Sequence, residues 1–283
     1  MKSKKVSVIM ACYNSENTLR DAIDSILAQT YQDWVMVCCD DGSQDNTWEI
    51  LQEYKMKYPD KFVLLRNDRN RKLPYSLNKC IKHTRTELVA RMDADDWSSP
   101  ARLQKQVEAL EEHPGFDLVG TGITVSDGTK KLGAIIQPEF PQYKDMLHCN
   151  VFSHATIMTY KRVYDTLGGY SLDPKVVRVE DKDLWSRFFK AGFKGFNLQE
   201  ELYIVREDET AVQRRTLRAR LNGAGVGYRI YRDNGISPVL SFIKVYKSVP
   251  AVLIPLPIYK AIHIRKIKQR TERNQKVNRG ESS

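Results

Sequence analysis

The sequence predicts an α/β protein built on a doubly wound, mostly parallel sheet. Two observations point to it, and a third sets the tail apart from it. Apolar runs of strand length alternate with segments of helical periodicity through residues 1–115. Carboxylates end two of those runs, as Asp40-Asp41 and as Asp93-Ala94-Asp95-Asp96. Ligands of an open α/β sheet bind outside the carboxyl ends of its strands. Finally, the charge is uneven: from Lys244 onward ten Lys or Arg oppose two acids, leaving +8 of the chain's net +10 in that tail.

Taken in order, Val6-Ser7-Val8-Ile9-Met10-Ala11 reads as a buried strand, and Cys12-Tyr13-Asn14-Ser15-Glu16-Asn17 as a polar turn. Leu19, Ala22, Ile23, Ile26 and Leu27 then recur at helical spacing. Residues 34–39 form a second strand, and Asn46 or Thr47 caps a helix carrying Trp48, Leu51 and Tyr54. Residues 62–65 are a third strand, Leu77, Cys80 and Ile81 mark a third helix, and residues 88–92 are a fourth strand. Ser98-Ser99-Pro100 signals the start of the helix bearing Leu103, Val107 and Leu110.

The pattern then loosens into a mixed α+β half. A strand is expected over 118–125, a turn at Asp127-Gly128 and another strand over 155–160. A short helix from about Arg162 closes at Gly168-Gly169. Residues 183–191 read as a helix with Leu184, Phe188 and Phe189 inward, leaving Glu180 and Asp181 ahead of it. From 211 to 233 the chain is a basic helix candidate interrupted by Gly223, Gly225 and Gly227, and a further helix follows Pro238 to about 248. The expected division is a main domain over 1–210, with halves at 1–115 and 116–210, and a basic helical extension over 211–283.

Bulk properties narrow the class. An apolar content of 41% supports a sizeable core. Cys12, Cys38, Cys39, Cys80 and Cys149 show no metal-ligand spacing and read as reduced, buried thiols of a cytosolic protein. The chain enters a strand directly after Lys5, with no signal-peptide pattern. Residues 249–259 are apolar but hold Pro250, Pro255 and Pro257, and supply about half of the ~20 residues a spanning helix needs. With the cations that follow, they suit a peripheral anchor on an anionic leaflet; the alternative packs the apolar run on the body and leaves the cations solvated. Nucleic acid is not expected as a partner, because the tail has little aromatic interleaving and no known binding module.

Three acidic clusters carry chemistry. Asp93, Asp95 and Asp96 would repel one another, a conflict that a divalent cation with hard oxygen ligands resolves; a solvated acidic turn capping the next helix is the alternative. Asp40 and Asp41 can accept from a nucleobase imide or from ribose hydroxyls; a plain Asp-Gly turn is the alternative. Glu180 and Asp181 can supply a general base, or can stabilise a helix N-terminus, a role that fits Asp183 best. Trp185 offers an aromatic face to a sugar or belongs to the core. His154 contacts donor or acceptor, or is a satisfied structural histidine.

Val6-Ser7-Val8-Ile9-Met10-Ala11-Cys12-Tyr13-Asn14, Asp40-Asp41-Gly42-Ser43-Gln44-Asp45-Asn46-Thr47, Asp93-Ala94-Asp95-Asp96 and Glu180-Asp181-Lys182-Asp183-Leu184-Trp185 resemble, in this order, the signatures of family 2 type inverting glycosyltransferases. The resemblance covers roughly residues 6–210 and is nearest to bacterial exopolysaccharide and capsule enzymes of the EpsE type. It implies the GT-A nucleotide-diphospho-sugar transferase fold. It places Ala11, Tyr13, Asp40, Asp41 and Asp93 in the nucleotide pocket, Asp93 and Asp95 on Mn²⁺ or Mg²⁺, and Asp181 as catalytic base. Glu180, Trp185 and His154 are then donor or acceptor contacts.

The function so implied is metal-dependent transfer of a hexosyl or N-acetylhexosaminyl group from a nucleotide-sugar, a UDP-sugar, to a lipid-linked oligosaccharide of exopolysaccharide, capsule or biofilm matrix. The expected place is cytoplasmic, at the inner face of the membrane. The alternative is a membrane-associated, protein-binding regulator built on the same fold, with a protein partner there. Two departures from the family stand out. Residues 67–72 lack the glycine many relatives carry, and no Gln-x-x-Arg-Trp motif is present, which implies single rather than processive addition.

Overall fold

In the computed structural model the described residues are 5–207 and 216–247, with 249–250, 254, 258, 262, 264–265, 269 and 271 beyond them. The four predicted apolar runs form β1 (Val6–Cys12), β2 (Trp34–Asp40), β3 (Phe62–Arg66) and β4 (Leu88–Asp93), all mutually parallel in the order β3-β2-β1-β4. β1, β2 and β4 are covered on both faces, which is why they read as continuous apolar runs, while β3 at the edge is only partly buried. Val6, Val8 and Met10 face one core with Leu19, Ile23 and Leu103, while Ile9 faces the other with Leu77, Leu184 and Phe188. The first core packs under α1 (Leu19–Leu27), α2 (Thr47–Lys57) and α4 (Arg102–Glu112); the second packs under α3 (Leu73–His83) and α6 (Glu180–Lys190).

Beyond β4 the sheet becomes mixed. It continues through β8 (Met158–Tyr160), β6 (Leu118–Ser126), β9 (Gly195–Arg206) and the two-residue β5 (Trp97–Ser98), while β7 (Lys131–Ile135) pairs with β6. β8 is antiparallel to both β4 and β6; β9 is parallel to β6, with register shifts around Gly122. Three further helices are α5 (Lys161–Leu167), α7 (Leu217–Asp233) and α8 (Pro238–Tyr246).

Several local expectations are corrected. Residues 154–156 form a 3₁₀ turn, so the strand expected over 155–160 is only β8. α6 begins at Glu180, so Glu180 and Asp181 lie in its first turn rather than ahead of it. Asp183 lies in that first turn as its expected N-terminal role requires, and its carboxylate also accepts from Arg187 Nε at 2.8 Å and from Arg229 at 2.9 Å. The cap of α2 is made by Asp45, which accepts from Thr47 N at 3.1 Å, and not by the side chain of Asn46 or Thr47. α7 runs unbroken through its three glycines. One of them is a close approach: a Cβ on Gly227 would lie 3.1 Å from Val245 Cγ1 of α8, tight enough that the Val245 side chain would have to shift. The division expected at residue 210 falls outside the described residues.

Candidate active site

The sheet register assembles the first part of the site. Ala11 stands beside Asp93 and Cys12 beside Asp40, so the ends of β1, β2 and β4 form one row at the carboxyl edge. Tyr13 follows β1 and is 45% exposed there, and Asn14 turns the chain away at φ 49°. Asp40 is fully buried. Its Oδ1 accepts from Ser43 N at 3.0 Å, and its Oδ2 lies 2.9 Å from Arg66 Nε without a well-directed hydrogen bond. The Arg66 guanidinium in turn lies over the Trp48 ring.

Asp41 is committed to the protein itself. Its carboxylate accepts from Asn67 Nδ2 (2.8 Å), Arg71 N (2.8 Å) and Lys72 N (2.9 Å), which pins residues 67–72 over the edge of the sheet. Lys72 takes φ 73°, the backbone a glycine adopts at no cost, so this loop reaches a glycine-like shape without one. Gly42 is needed opposite it, since a Cβ there would sit 2.7 Å from Arg69 Cα. Asp41→Ala therefore removes the acceptor of Arg71 N and one of two acceptors each for Asn67 Nδ2, which keeps Ser76 Oγ, and Lys72 N, which keeps Asn70 Oδ1, and is expected to cost on the order of 1–2 kcal/mol in urea unfolding. Unchanged stability would mean that other contacts hold the loop.

The acid-rich turn is the second part. Oxygens of Asp93, Asp95 and Asp96 lie within 4.8 Å of one another. The turn is clamped from three directions: Asp93 N donates to Tyr203 Oη (3.0 Å), Arg206 N donates to Asp96 Oδ1 (2.9 Å), and Thr18 Oγ1 donates to Ala94 O (2.9 Å). Burial, then the charges of Asp93 and Asp95, push the Asp96 carboxyl well above the usual range. Arg91 pairs with Asp93 from below the turn, only 2% exposed. Burial disfavours its charge, and Asp93 more than restores it. Convergent carboxylate oxygens at a partly open edge fit a divalent cation with hard-ligand preference.

The third part is the first turn of α6. Asp181 is half-buried and its Oδ1 accepts from Lys182 N at 2.7 Å. Burial raises its pKa, and the backbone N–H groups of Lys182 and Asp181 and the charges of Lys182 and Arg91 oppose the rise. Glu180 is buried, with Oε2 lacking a hydrogen-bond partner, and burial raises its pKa also. Arg178 precedes the helix at φ 72°, a strained backbone for a side chain with a Cβ.

Trp185 serves the core: it is 3% exposed and packs edge-on against Phe152 at 5.2 Å, so its ring is no platform in the cleft. His154 Nε2 lies 2.8 Å from Tyr170 Oη, itself 3.2 Å from Tyr164 Oη. Burial, with the charge of Arg91, pushes the imidazole pKa well below its ordinary value.

Arg91, Tyr203 and Arg206 went unassigned in the sequence reading. For Arg91 a signal existed: residues two apart on a strand share a face, and Arg91 stands two before Asp93. For Tyr203 and Arg206 there was none, because β9 meets the acid turn only across 110 residues of chain.

Comparison with known proteins follows the same outline. The pattern described as Glycosyl transferase family 2 matches residues 7–167. EpsE of Bacillus subtilis (strain 168), a protein named as a glycosyltransferase, is 40% identical over 268 residues, 95% of this chain and 96% of that one. WfaP of Escherichia coli, named as a UDP-Glc:alpha-D-GlcNAc-diphosphoundecaprenol beta-1,3-glucosyltransferase, is 25% identical over 202 residues, 68% of this chain and 73% of its own. Among solved structures, the mannosyltransferase PcManGT of Pyrobaculum calidifontis, in complex with GDP-Man and Mn²⁺, superposes with a TM-score of 0.63 at 15% identity, covering 98% of this chain and 86% of that one.

Proposed function

This chain belongs to glycosyl transferase family 2, and we propose that it adds a single sugar from a UDP-sugar to a lipid-linked oligosaccharide of an exopolysaccharide or capsule. Its fold is GT-A, and it is a transferase acting on nucleotide-sugars. One observation carries the finer reading: the sheet register sets Ala11, Asp40 and Asp93 in one row, continuous with the Asp95 and Asp96 carboxylates. A nucleoside lies along such a row with its diphosphate toward the acid turn. Asp40, at the carboxyl end of β2, is the acceptor assigned here to the uracil imide N–H, its Oδ2 being shared with Arg66 Nε at 2.9 Å. WfaP supports the UDP donor and the diphosphate-lipid acceptor by its name.

In the proposed reaction Asp181 takes the proton of the acceptor hydroxyl, whose oxygen bonds to the donor's anomeric carbon from the face opposite the diphosphate. The bond to the diphosphate breaks with its electron pair, and the configuration inverts. Asp93 and Asp95, with Asp96 beside them, would hold Mn²⁺ or Mg²⁺, which when bound offsets the negative charge of the departing nucleoside diphosphate. Arg91 holds the Asp93 carboxylate in place and puts a positive charge behind both Asp93 and Asp181. PcManGT, solved with Mn²⁺, supports the cation.

Residues 211–283 carry the proposed membrane contact, at the inner face of the membrane. Most of the apolar run 249–259 and of the basic stretch 260–279 lies outside the described residues. No helix among the described residues is long and apolar enough to cross a membrane.

The test is release of free nucleotide from a panel of UDP- and GDP-sugars with Mn²⁺, with and without a diphosphate-lipid-linked sugar acceptor. Turnover of a UDP-sugar that rises on adding the lipid acceptor is the expected result. Preference for GDP-sugars, or equal turnover with a free sugar acceptor, would overturn the donor or the acceptor assignment respectively.

A further inference from the structure

We infer that α8 docks on an anionic lipid surface through an exposed apolar stripe. The helix has two different faces. Its inner face is fixed to the protein: Ser241 is fully buried and its Oγ donates to Ile236 O (3.2 Å), and Val245 packs on Gly227 of α7. Its outer face carries Val239, Phe242, Ile243 and Tyr246, spaced as one stripe of a helix. Val239 is 70% exposed and Phe242 and Ile243 are each 57% exposed. With Tyr228 and Pro238 the stripe lines an apolar groove of ≈ 510 Å³. Isolated apolar side chains on a surface need no explanation, but a contiguous stripe of this size marks a contact face.

Charge selects the occupant. No acidic residue occurs between Asp233 and Glu272, while Lys244, Lys247, Lys260, Arg265, Lys266, Lys268 and Arg270 all fall in that interval. A second copy seated on the stripe would bring Lys244 and Lys247 of both copies toward one another, and like charges facing one another disfavour that pairing. An apolar stripe with Lys244 and Lys247 beside it, on a helix that carries no acid, fits the boundary between headgroups and acyl chains of an anionic leaflet. A helix of this length, about 14 Å, lies in the interface rather than across it.

The position of α8 gives the contact its use. A Cβ on Gly227 would lie 3.1 Å from Val245 Cγ1 and 3.5 Å from Lys182 Nζ, so α7 at this point touches both α8 and the residue after Asp181. The docking face and the first turn of α6 are thus two sides of one packed layer. Docking by α8 brings Asp181 near the lipid surface from which a lipid-linked acceptor presents its hydroxyl. This use rests on the acceptor reading above; the docking itself does not.

Flotation of the full chain with phosphatidylcholine vesicles, with and without added phosphatidylglycerol, tests the inference. The parent is expected to float with the anionic vesicles only, and Phe242→Ser/Ile243→Ser to lose that partitioning by roughly tenfold or more, with an unchanged melting temperature and unchanged donor binding. Val239→Ser should lose part of it. A parent that stays unbound, or a double variant that floats as well as the parent, would overturn the assignment; in the latter case the tail alone is the anchor. A dimer in sedimentation that the double variant converts to monomer would also overturn it, in favour of a second copy on the stripe. If docking behaves as expected while the diphosphate-lipid acceptor is not glycosylated, the docking face stands and the acceptor reading fails.

Discussion

Asp181→Asn is expected to lower kcat by ~10²-fold or more while the nucleotide-sugar still binds. The substitution keeps shape and one acceptor oxygen but removes the basic site. Because burial raises the Asp181 pKa, with backbone N–H groups and the Lys182 and Arg91 charges opposing, the parent's rate should climb with pH along a limb above the ordinary carboxylate range. That limb should be missing in the variant. Stability gives an independent reading. A carboxyl whose folded pKa is raised contributes stability below its unfolded pKa and loses it as pH rises through the folded value. At neutral pH, ionised Asp181 therefore opposes folding. Asp181→Asn should melt higher than the parent at pH 7, and that advantage should vanish below about pH 4. Collapse of donor affinity instead would make Asp181 a binding residue and leave the base elsewhere.

Asp95→Ala is expected to reduce turnover to below ~10⁻³ of the parent, since a bound cation supplies several kcal/mol of charge stabilisation. The fold should survive, because Asp95 is half-buried at the partly open edge of the turn. Asp96→Ala provides the contrast. Asp96 is 3% exposed and accepts the Arg206 backbone N–H, so its loss should destabilise the junction of the acid turn with β9 as well as the activity. Mn²⁺ binding followed by calorimetry reads the site without turnover: Asp95→Ala should abolish the heat that the parent shows. Full activity of the parent in excess EDTA would remove the cation from the mechanism.

Much of the parallel, doubly wound part of the fold was legible in the sequence. β1, β2 and β4 are buried nearly throughout, the alternation of the four strands with helices is a local property, and the acids that end β2 and β4 needed only the sense of the sheet to be placed. The identity of Asp40, Asp93, Asp95 and Asp181 as candidates came from the same reading.

The sequence alone therefore determined the doubly wound half, the acids at its carboxyl edge and the charge of the tail. Tertiary structure alone decided what holds those acids in place. β9 carries Gln199, Glu200 and Glu201 in its middle and has no strand-like alternation there; it is a strand because β6 pairs with it, and it brings Tyr203 and Arg206 to the acid turn. β5 is two residues long and exists only as the partner of β9. Trp185 as core, Asp41 as a loop clasp and Gly227 as the contact between α7 and α8 were decided in the same way. Periodicity is written into neighbouring residues, whereas burial and long-range hydrogen bonds are properties of pairs far apart in the chain, which no local pattern records.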